Sequence, residues 1–596
     1  MATYSELRRS TLIGIFGPGA IVDVRTPSNA SVSGLVPGLE QWDEVAKNRG
    51  LMHRQVIHEP RLQKRLHVGG FRLPPVRSSK KGEEDVDVLR IVRFPRWLQC
   101  SQCQRLREED RWNDKGPGRP ERFCKRCSDE EGSTLFVVPV RFIVACERGH
   151  IDDFPWQPWI GCTCLGPDLS LKTIGAGLAG KVVECAKCGL SKSLEGAFSR
   201  FALKDHKCSG KRPWLGAALE PCTRTPRVLQ RGASNVYWDA TESALDIPPF
   251  SADLADVFGR YAEDFEDQAP EDWPALIDLL KLPQKTSLSK TQLLDYLTKF
   301  KRALDADTSL RLESAEYEQL DAACSQKIDE GEFRVRPGAV APELSRWISG
   351  LALGDRLREV RVLTGFTRIH PPSGPFRNAT QRLAPLSSAK LPWLPAIELL
   401  GEGIFVRLNV PAVEKWESQP AVIARVSRLL DRIRADLRED ETAPDCSPRW
   451  LLVHSLAHAL IRRLSLDCGY GSAALRERLF VDSEHPEMCG LLIHTGSPDS
   501  EGTLGGLVAQ GTTDRFYDTL TGAIGEAAWC SQDPVCIAGT ATLSSPRNAA
   551  ACHACLLVPE TSCQVFNVLL DRAMLIGTPE NPKLGFFSGL LRQLTP

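Results

Sequence analysis

Cysteines in close pairs constrain this chain more than any other feature. Cys100-Ser101-Gln102-Cys103 is followed, twenty residues on, by Cys124-Lys125-Arg126-Cys127. Two residues between thiols make a tight turn that points both sulfurs to one side, and two such turns complete a tetrahedron around one ion. From Arg90 to about Pro226 the text is cysteine-dense, rich in Arg and Lys, and poor in helical periodicity. A segment of that kind has little hydrophobic core to fold around, and a metal takes the core's place. A redox role is disfavoured, because the pairs come doubled and without a thioredoxin-like helix.

A second site is expected from Cys185-Ala186-Lys187-Cys188 with Cys208 and Cys222, with His206 able to substitute for one ligand. Cys146 and His150, in Cys-x3-His spacing, could be closed into a third by Cys162 and Cys164. Near the C-terminal end, Cys552-His553-Ala554-Cys555 forms a kernel, with Cys563 and Cys536 as its partners and Cys530 as the alternate. Four protein ligands leave no open position for water, so the expectation is two or three structural zinc ions. Cys324, Cys446, Cys468 and Cys489 stand alone and read as core thiols.

The 596 residues are 42% hydrophobic and 25% charged, an ordinary globular composition with room for three or four domains. Lys and Arg total 74 against 75 acidic residues, so global charge neither demands nor forbids a nucleic-acid partner. No run approaches the roughly 18 apolar residues that cross a bilayer. Arg8-Arg9 precedes an apolar stretch, but Gly17-Pro18-Gly19 breaks it and Asp23 and Arg25 close it, unlike a twin-arginine export signal. The expected setting is a reducing cytoplasm, with no membrane partner.

The fold class reads as α+β multidomain, with small zinc-ribbon-like modules, a helical middle region and a mixed α/β C-terminal zinc-binding domain. The segments are 1–90 (mixed α/β), 91–226 (cysteine-rich), 227–345 (mixed, then helical) and 346–596 (C-terminal). Ile13-Gly14-Ile15-Phe16, Gly17 to Ala20, and Ile21 to Val24 read as strand, tight turn, strand. The turn lacks the Gly-Lys-Ser/Thr ending of a phosphate loop and is taken as structural. Ser78 to Glu84 looks like an exposed loop. Helical spacing covers Asp253–Asp267, Lys290–Leu304, Pro411–Asp440 and Arg449–Leu466.

Little in the chain suggests a reaction. His454 and His458 lie four apart on one helix face, as in zinc proteases, but position 455 is serine where a general-base glutamate is needed. A packed pair is the favoured reading. The alternative is a metal-dependent hydrolase, a nuclease or peptidase, using His454, His458 and Asp499 or Glu501 of the Gly-rich stretch Thr495–Val508. That stretch is otherwise a turn and helix start. No complete ATP-binding signature is present, so any motor belongs to another chain, and no catalytic residue is assigned. Between Arg90 and Cys127 there are eleven basic residues against five acidic ones, a net of +6, interleaved with Trp97, Trp112 and Phe123. Arg105, Arg107, Arg111, Lys125 and Arg126 are the candidate nucleic-acid contacts, on phosphates and exposed bases.

Several motifs are familiar in combination. They are Phe16-Gly17-Pro18-Gly19-Ala20, Ala145 to Trp156, Arg231 to Tyr237, the His454/His458 helix, Gly505-Gly506-Leu507, and Ala551 to Leu557 with Glu560 to Cys563 and Asn567 to Arg572. The chain resembles proteins with an MrfA-like zinc-binding domain, and over its whole length it is similar to the DrmB family of the DISARM anti-phage system. The resemblance implies a bacterial DNA-binding complex with a separate superfamily-2 helicase of the DrmA type. It also implies that the closing cysteines are zinc ligands, and it supplies no catalytic residues. Fifteen residues separate Cys536 from Cys552, a departure from the compact spacing of MrfA-type helicases that leaves the first ligand open.

Overall fold

The computed structural model describes residues 7–48, 56–75, 89–249, 261, 265, 268–286, 288–306, 312–372, 383–437, 441–444, 446–496, 506–539 and 545–594. Most of the helix expected over Asp253–Asp267, the loop Ser78–Glu84, and Asp499 and Glu501 lie outside the described residues.

The centre of the fold is a long antiparallel hairpin, Ile348–Thr367 paired with Trp393–Leu408. Both strands are largely buried along their length, which is why their text is close to continuously apolar and not alternating. The first half of Ile348–Thr367 also pairs with Phe333–Gly338 and the second half with Trp238–Leu245. A register slip at Gly354–Leu357 lies between the two, where an irregularity bends a strand. On its far side Trp393–Leu408 pairs with Cys489–Thr495, which in turn carries Leu475–Val481, and its first residues run parallel to Gly70–Arg72. The sheet therefore takes strands from three of the four segments drawn from the sequence. Hydrogen-bond ladders ignore the Pro-rich text that separates those segments along the chain.

Against this sheet lies the helix Pro448–Cys468. The Ser447 side chain accepts a hydrogen bond from the Trp450 N–H at 3.3 Å, Pro448 occupies the first turn, and Gly469 at φ +71° ends the helix in the left-handed conformation. From Leu451 to Ile461 every residue of this helix is buried. It packs on Leu475–Val481 and Cys489–Thr495 and on the helix Thr513–Ala527. The helix expected over Pro411–Asp440 is two helices, Val410–Glu417 and Pro420–Asp436. Pro420 forces Gln419 into extended backbone, which stops the first helix and starts the second.

The cysteine-rich region is built on short strands. Six of them form one sheet in the order Ser191–Ser193, Lys181–Cys185, Leu169–Thr173, Arg105–Glu108, Trp97–Gln99, Val138–Pro139. Phe142–Ala145, flanked by Ile151–Asp153 and Arg227–Gln230, makes a second small sheet.

One buried arginine fastens these parts together. Arg368, 1% exposed, donates to three backbone carbonyls: Gly149 (2.9 Å), Val236 (2.6 Å) and Gly19 (2.8 Å). Its guanidinium lies over the rings of Phe366 and Trp214. Gly19 has φ +86°, and a Cβ there would sit 2.6 Å from the Phe366 ring, so the Gly17-Pro18-Gly19 turn is shaped for close packing. Gly19 N–H donates to Val36 and Ala20 N–H to Gly17, so neither points at a ligand. The strand expected over Ile13–Phe16 does not form. A short helix, Arg9–Leu12, precedes it, and the Phe16 N–H returns to Thr11 O at 2.8 Å, which folds those residues into turns.

Arg368→Met should leave three buried carbonyls without a donor, a loss of ~3 kcal/mol or more at about 1–3 kcal/mol each. Denaturant unfolding with amide exchange should show this as early opening around Gly19, Gly149 and Val236. Arg368→Lys should restore less than half, because an ammonium cannot fork to three acceptors. Unchanged exchange in the Met variant would remove Arg368 from its fastening role.

Candidate metal centres

The tight turn between Trp97–Gln99 and Arg105–Glu108 carries Cys100 and Cys103, and the start of the helix Lys125–Glu131 carries Cys124 and Cys127. Cys100 Sγ lies 3.8 Å from Cys127 Sγ, and Cys103 Sγ 3.8 Å from Cys124 Sγ. Four sulfurs each about 2.3 Å from a zinc ion are about 3.8 Å apart, whereas a disulfide would hold two at about 2.0 Å. The group expected from the spacing is thus brought together at the separation that zinc requires.

The ligands between residues 146 and 222 are grouped differently from the expectation. Cys162, Cys164, Cys185 and Cys188 meet, with Cys188 Sγ 3.6 Å from Cys162 Sγ. Cys208 and Cys222 join Cys146 and His150 instead. Cys146 Sγ is 3.3 Å from His150 Nδ1 and 4.0 Å from Cys222 Sγ, and Cys208 Sγ is 3.5 Å from His150 Nδ1. His150 is fully buried, and its Nε2 lies 3.4 Å from Glu220. A carboxylate on the outer nitrogen fixes the tautomer and frees Nδ1 to bind metal. His206 stands outside this group. The strands Leu169–Thr173 and Lys181–Cys185 place Cys185 opposite Leu169, close behind Cys162 and Cys164, and that pairing decides the partition. A signal for it is present in the text: twenty residues separate Cys164 from Cys185, the same interval as between Cys103 and Cys124.

At the C-terminal end Cys530, Cys536, Cys552 and Cys555 converge. Cys530 Sγ is 3.5 Å from Cys552 Sγ, and Cys555 Sγ is 3.7 Å from both Cys536 and Cys552. Cys530, held as the alternate, takes the place expected for Cys563. Cys563 lies instead beside His454, with Sγ 3.3 Å from Nε2. The reason is local: Asp533 accepts the Cys530 N–H and turns the backbone so that this sulfur faces Cys552.

Two or three ions were expected, and four cysteine-rich groups assemble. Several thiols are poised to ionise at neutral pH, as zinc binding requires. The hydrogen bond with Cys208 draws Cys146 down to about 4 against burial, and His150 adds to the fall. Burial pushes Cys185 up, but the N–H groups of Cys188 and Lys187 more than offset it and hold the thiol at about 6. Cys536 is drawn to about 6 by its hydrogen bond with Cys555. The donors and their separations fit structural zinc; within each group one thiol ionises ahead of its neighbours, and Cys208 and Cys555 are pushed up by their hydrogen bonds with Cys146 and Cys536.

The basic residues of the first module divide into two kinds. Arg105 and Arg107 are half-buried and both reach Asp168, at 3.5 and 3.7 Å, whereas Arg111, Lys125 and Arg126 are exposed. Trp112, expected beside exposed bases, is buried beneath Arg107, and its indole N–H donates to Arg107 O at 3.2 Å.

Residues 456–556 match the MrfA Zn-binding domain, and residues 8–238 match a domain of unknown function (DUF8724). The first match takes in Cys530, Cys536, Cys552 and Cys555 and stops short of Cys563; the second takes in the other three cysteine-rich groups. The chain is 32% identical over 563 residues to a DISARM protein DrmB from Bacillus paralicheniformis, covering 90% of this chain and 96% of that protein.

The regrouping is open to a direct check. Cys185→Ser should speed alkylation of Cys162, Cys164 and Cys188 at least about tenfold, by analogy with the loss of a metal-site partner. Cys208 and Cys222 should stay at the wild-type rate, read by mass spectrometry of the labelled protein. Faster labelling of Cys208 and Cys222 would restore the grouping suggested by sequence order.

Proposed function

The chain belongs to the DrmB family of DISARM proteins, and on that premise we propose that it is the non-motor, DNA-gripping subunit of a complex with a DrmA-like superfamily-2 helicase. It would work in the bacterial cytoplasm, in defence against phage. The observation that carries the DNA half of this reading is the exposed basic edge of the first metal module. Arg111, Lys125 and Arg126 face solvent there, and Asp168 offsets only part of the charge of Arg105 and Arg107. With Trp112 buried, contact is to phosphates more than to bases, which gives affinity without sequence preference. The helicase half rests on the family and on the lack of any complete ATP-binding signature in the sequence.

The hydrolase reading finds less support. His454 and His458 are fully buried, and the Nδ1 atom of each is taken up by a backbone carbonyl, so a substrate has no approach to them through the described residues. At the start of the helix Gly506–Ala509, the Leu507 and Val508 N–H groups donate to the buried Glu402 carboxylate at 2.8 and 3.1 Å and are not free for a phosphate.

Arg111→Glu with Lys125→Glu and Arg126→Glu should weaken DNA binding by the complex at least about tenfold near physiological salt. The slope of log affinity against log salt should fall by about 2–3, at roughly 0.7–0.9 per lost phosphate contact. Equal affinity and slope in the two proteins would exclude this surface. A tagged copy recovered from its own host should also bring down a superfamily-2 helicase. Recovery without one at physiological salt would remove the helicase half of the proposal.

A further inference from the structure

We propose that His454, His458, Glu477 and Cys563 form a fifth metal centre, a closed site for one divalent ion of the zinc type, separate from the C-terminal cysteine group. The two histidines come from the helix Pro448–Cys468, Glu477 from the strand Leu475–Val481, and Cys563 from the turn after residues 560–562. His454 Nε2 lies 3.2 Å from Glu477 Oε1 and 3.3 Å from Cys563 Sγ, and His458 Nε2 lies 3.5 Å from Glu477 Oε2. Ligand atoms about 2.0–2.3 Å from one tetrahedral ion are separated by about 3.3–3.6 Å.

The outer hydrogen bonds explain why these atoms face a cation. His454 Nδ1 is 3.1 Å from Leu569 O, and His458 Nδ1 is 2.9 Å from Leu556 O. A carbonyl can only accept, so each Nδ1 carries a proton, and Nε2 is the ring atom left to face the site. Glu477 Oε1 accepts the Gln564 N–H at 3.1 Å. His458 Nε2 and Glu477 Oε2 are buried with no hydrogen-bond partner. Cys563 Sγ accepts N–H groups from Val565 and Asn567 at 3.4 and 3.3 Å, which hold the sulfur beside His454. Phe566 and Asn567 adopt φ +55° and +58° to wrap the backbone around that sulfur, a conformation that costs energy and needs a fixed partner to hold it.

Four electron-pair donors thus converge where the side chains of His454, His458 and Glu477 are 0% exposed. Burial of His458 Nε2 and Glu477 Oε2 without a hydrogen bond is costly in a low-dielectric interior. A bound ion supplies both with a partner. With four protein ligands there is no position for a water, so the ion is a staple and not a reaction centre. It fastens the chain beyond the C-terminal cysteine group to the central helix.

Native mass spectrometry of the zinc-supplemented full chain should count five ions, and His454→Ala with His458→Ala should count four, with alkylation of Cys530, Cys536, Cys552 and Cys555 unchanged. Four ions in the wild type, or five in the double variant, overturns the proposal. Should the double variant fail to fold, Glu477→Gln decides. It keeps the shape and removes the charge, and one ion of five should pass to a chelator at least tenfold faster than from the wild type. Release indistinguishable from the wild type overturns the fifth site.

Discussion

Sulfur atoms held 3.5–4.0 Å apart in the cysteine-rich groups are the constraint on which the rest of the molecule depends. The first module shows why. Its buried apolar cluster, its cysteines aside, is Leu98, Trp112 and Val137. At about 1.5–3 kcal/mol for each buried side chain, these three supply well under the ~10–16 kcal/mol that a structural zinc contributes to a small domain. The C-terminal group has an even smaller cluster of its own, made of cysteines, set beside a large core that surrounds the central helix. Metal is thus a substitute for packing in the first module and an addition to it at the other two places, where Cys162 and Cys185 join a core with Phe142, Phe154, Trp156 and Trp159 and the C-terminal group lies beside the largest core.

The modules act as one body because of connections that are not metallic. Arg368 gathers Gly19, Gly149 and Val236, one residue from each of three separate stretches, onto the end of the longest strand. Gly149 lies inside the Cys146–His150 knuckle, so the same arginine ties a metal group to the central sheet.

What the sequence made legible follows from distance along the chain. A Cys-x2-Cys turn is local, and the paired knuckles of the first module could be read directly because one small domain closes them. The distal ligands are set by strand pairing. Cys185 meets Cys162 because Leu169–Thr173 and Lys181–Cys185 form a hairpin, and Cys208 meets His150 because the chain returns after it. Cys563 is the nearer to the Cys552 kernel in sequence, and it is the turn at Asp533 that brings the more distant Cys530 in instead. The helix bearing His454 and His458 was plain from its periodicity, but the carboxylate facing it was not. Glu477 sits between Arg476 and Arg478, where a carboxylate reads as an ordinary paired charge, and nothing local marks it. Arg368 was equally silent, since its three acceptors are backbone atoms far apart in the chain.

The central claim is that a bound ion stands in for a core in the first metal module while the C-terminal body has its own. Hydrogen exchange of the intact chain before and after gentle removal of zinc tests this most directly. The account requires amides in 97–139 to lose most of their protection, with the hairpin of Ile348–Thr367 and Trp393–Leu408 remaining protected. Unchanged protection across residues 97–139 after every ion has left would contradict it.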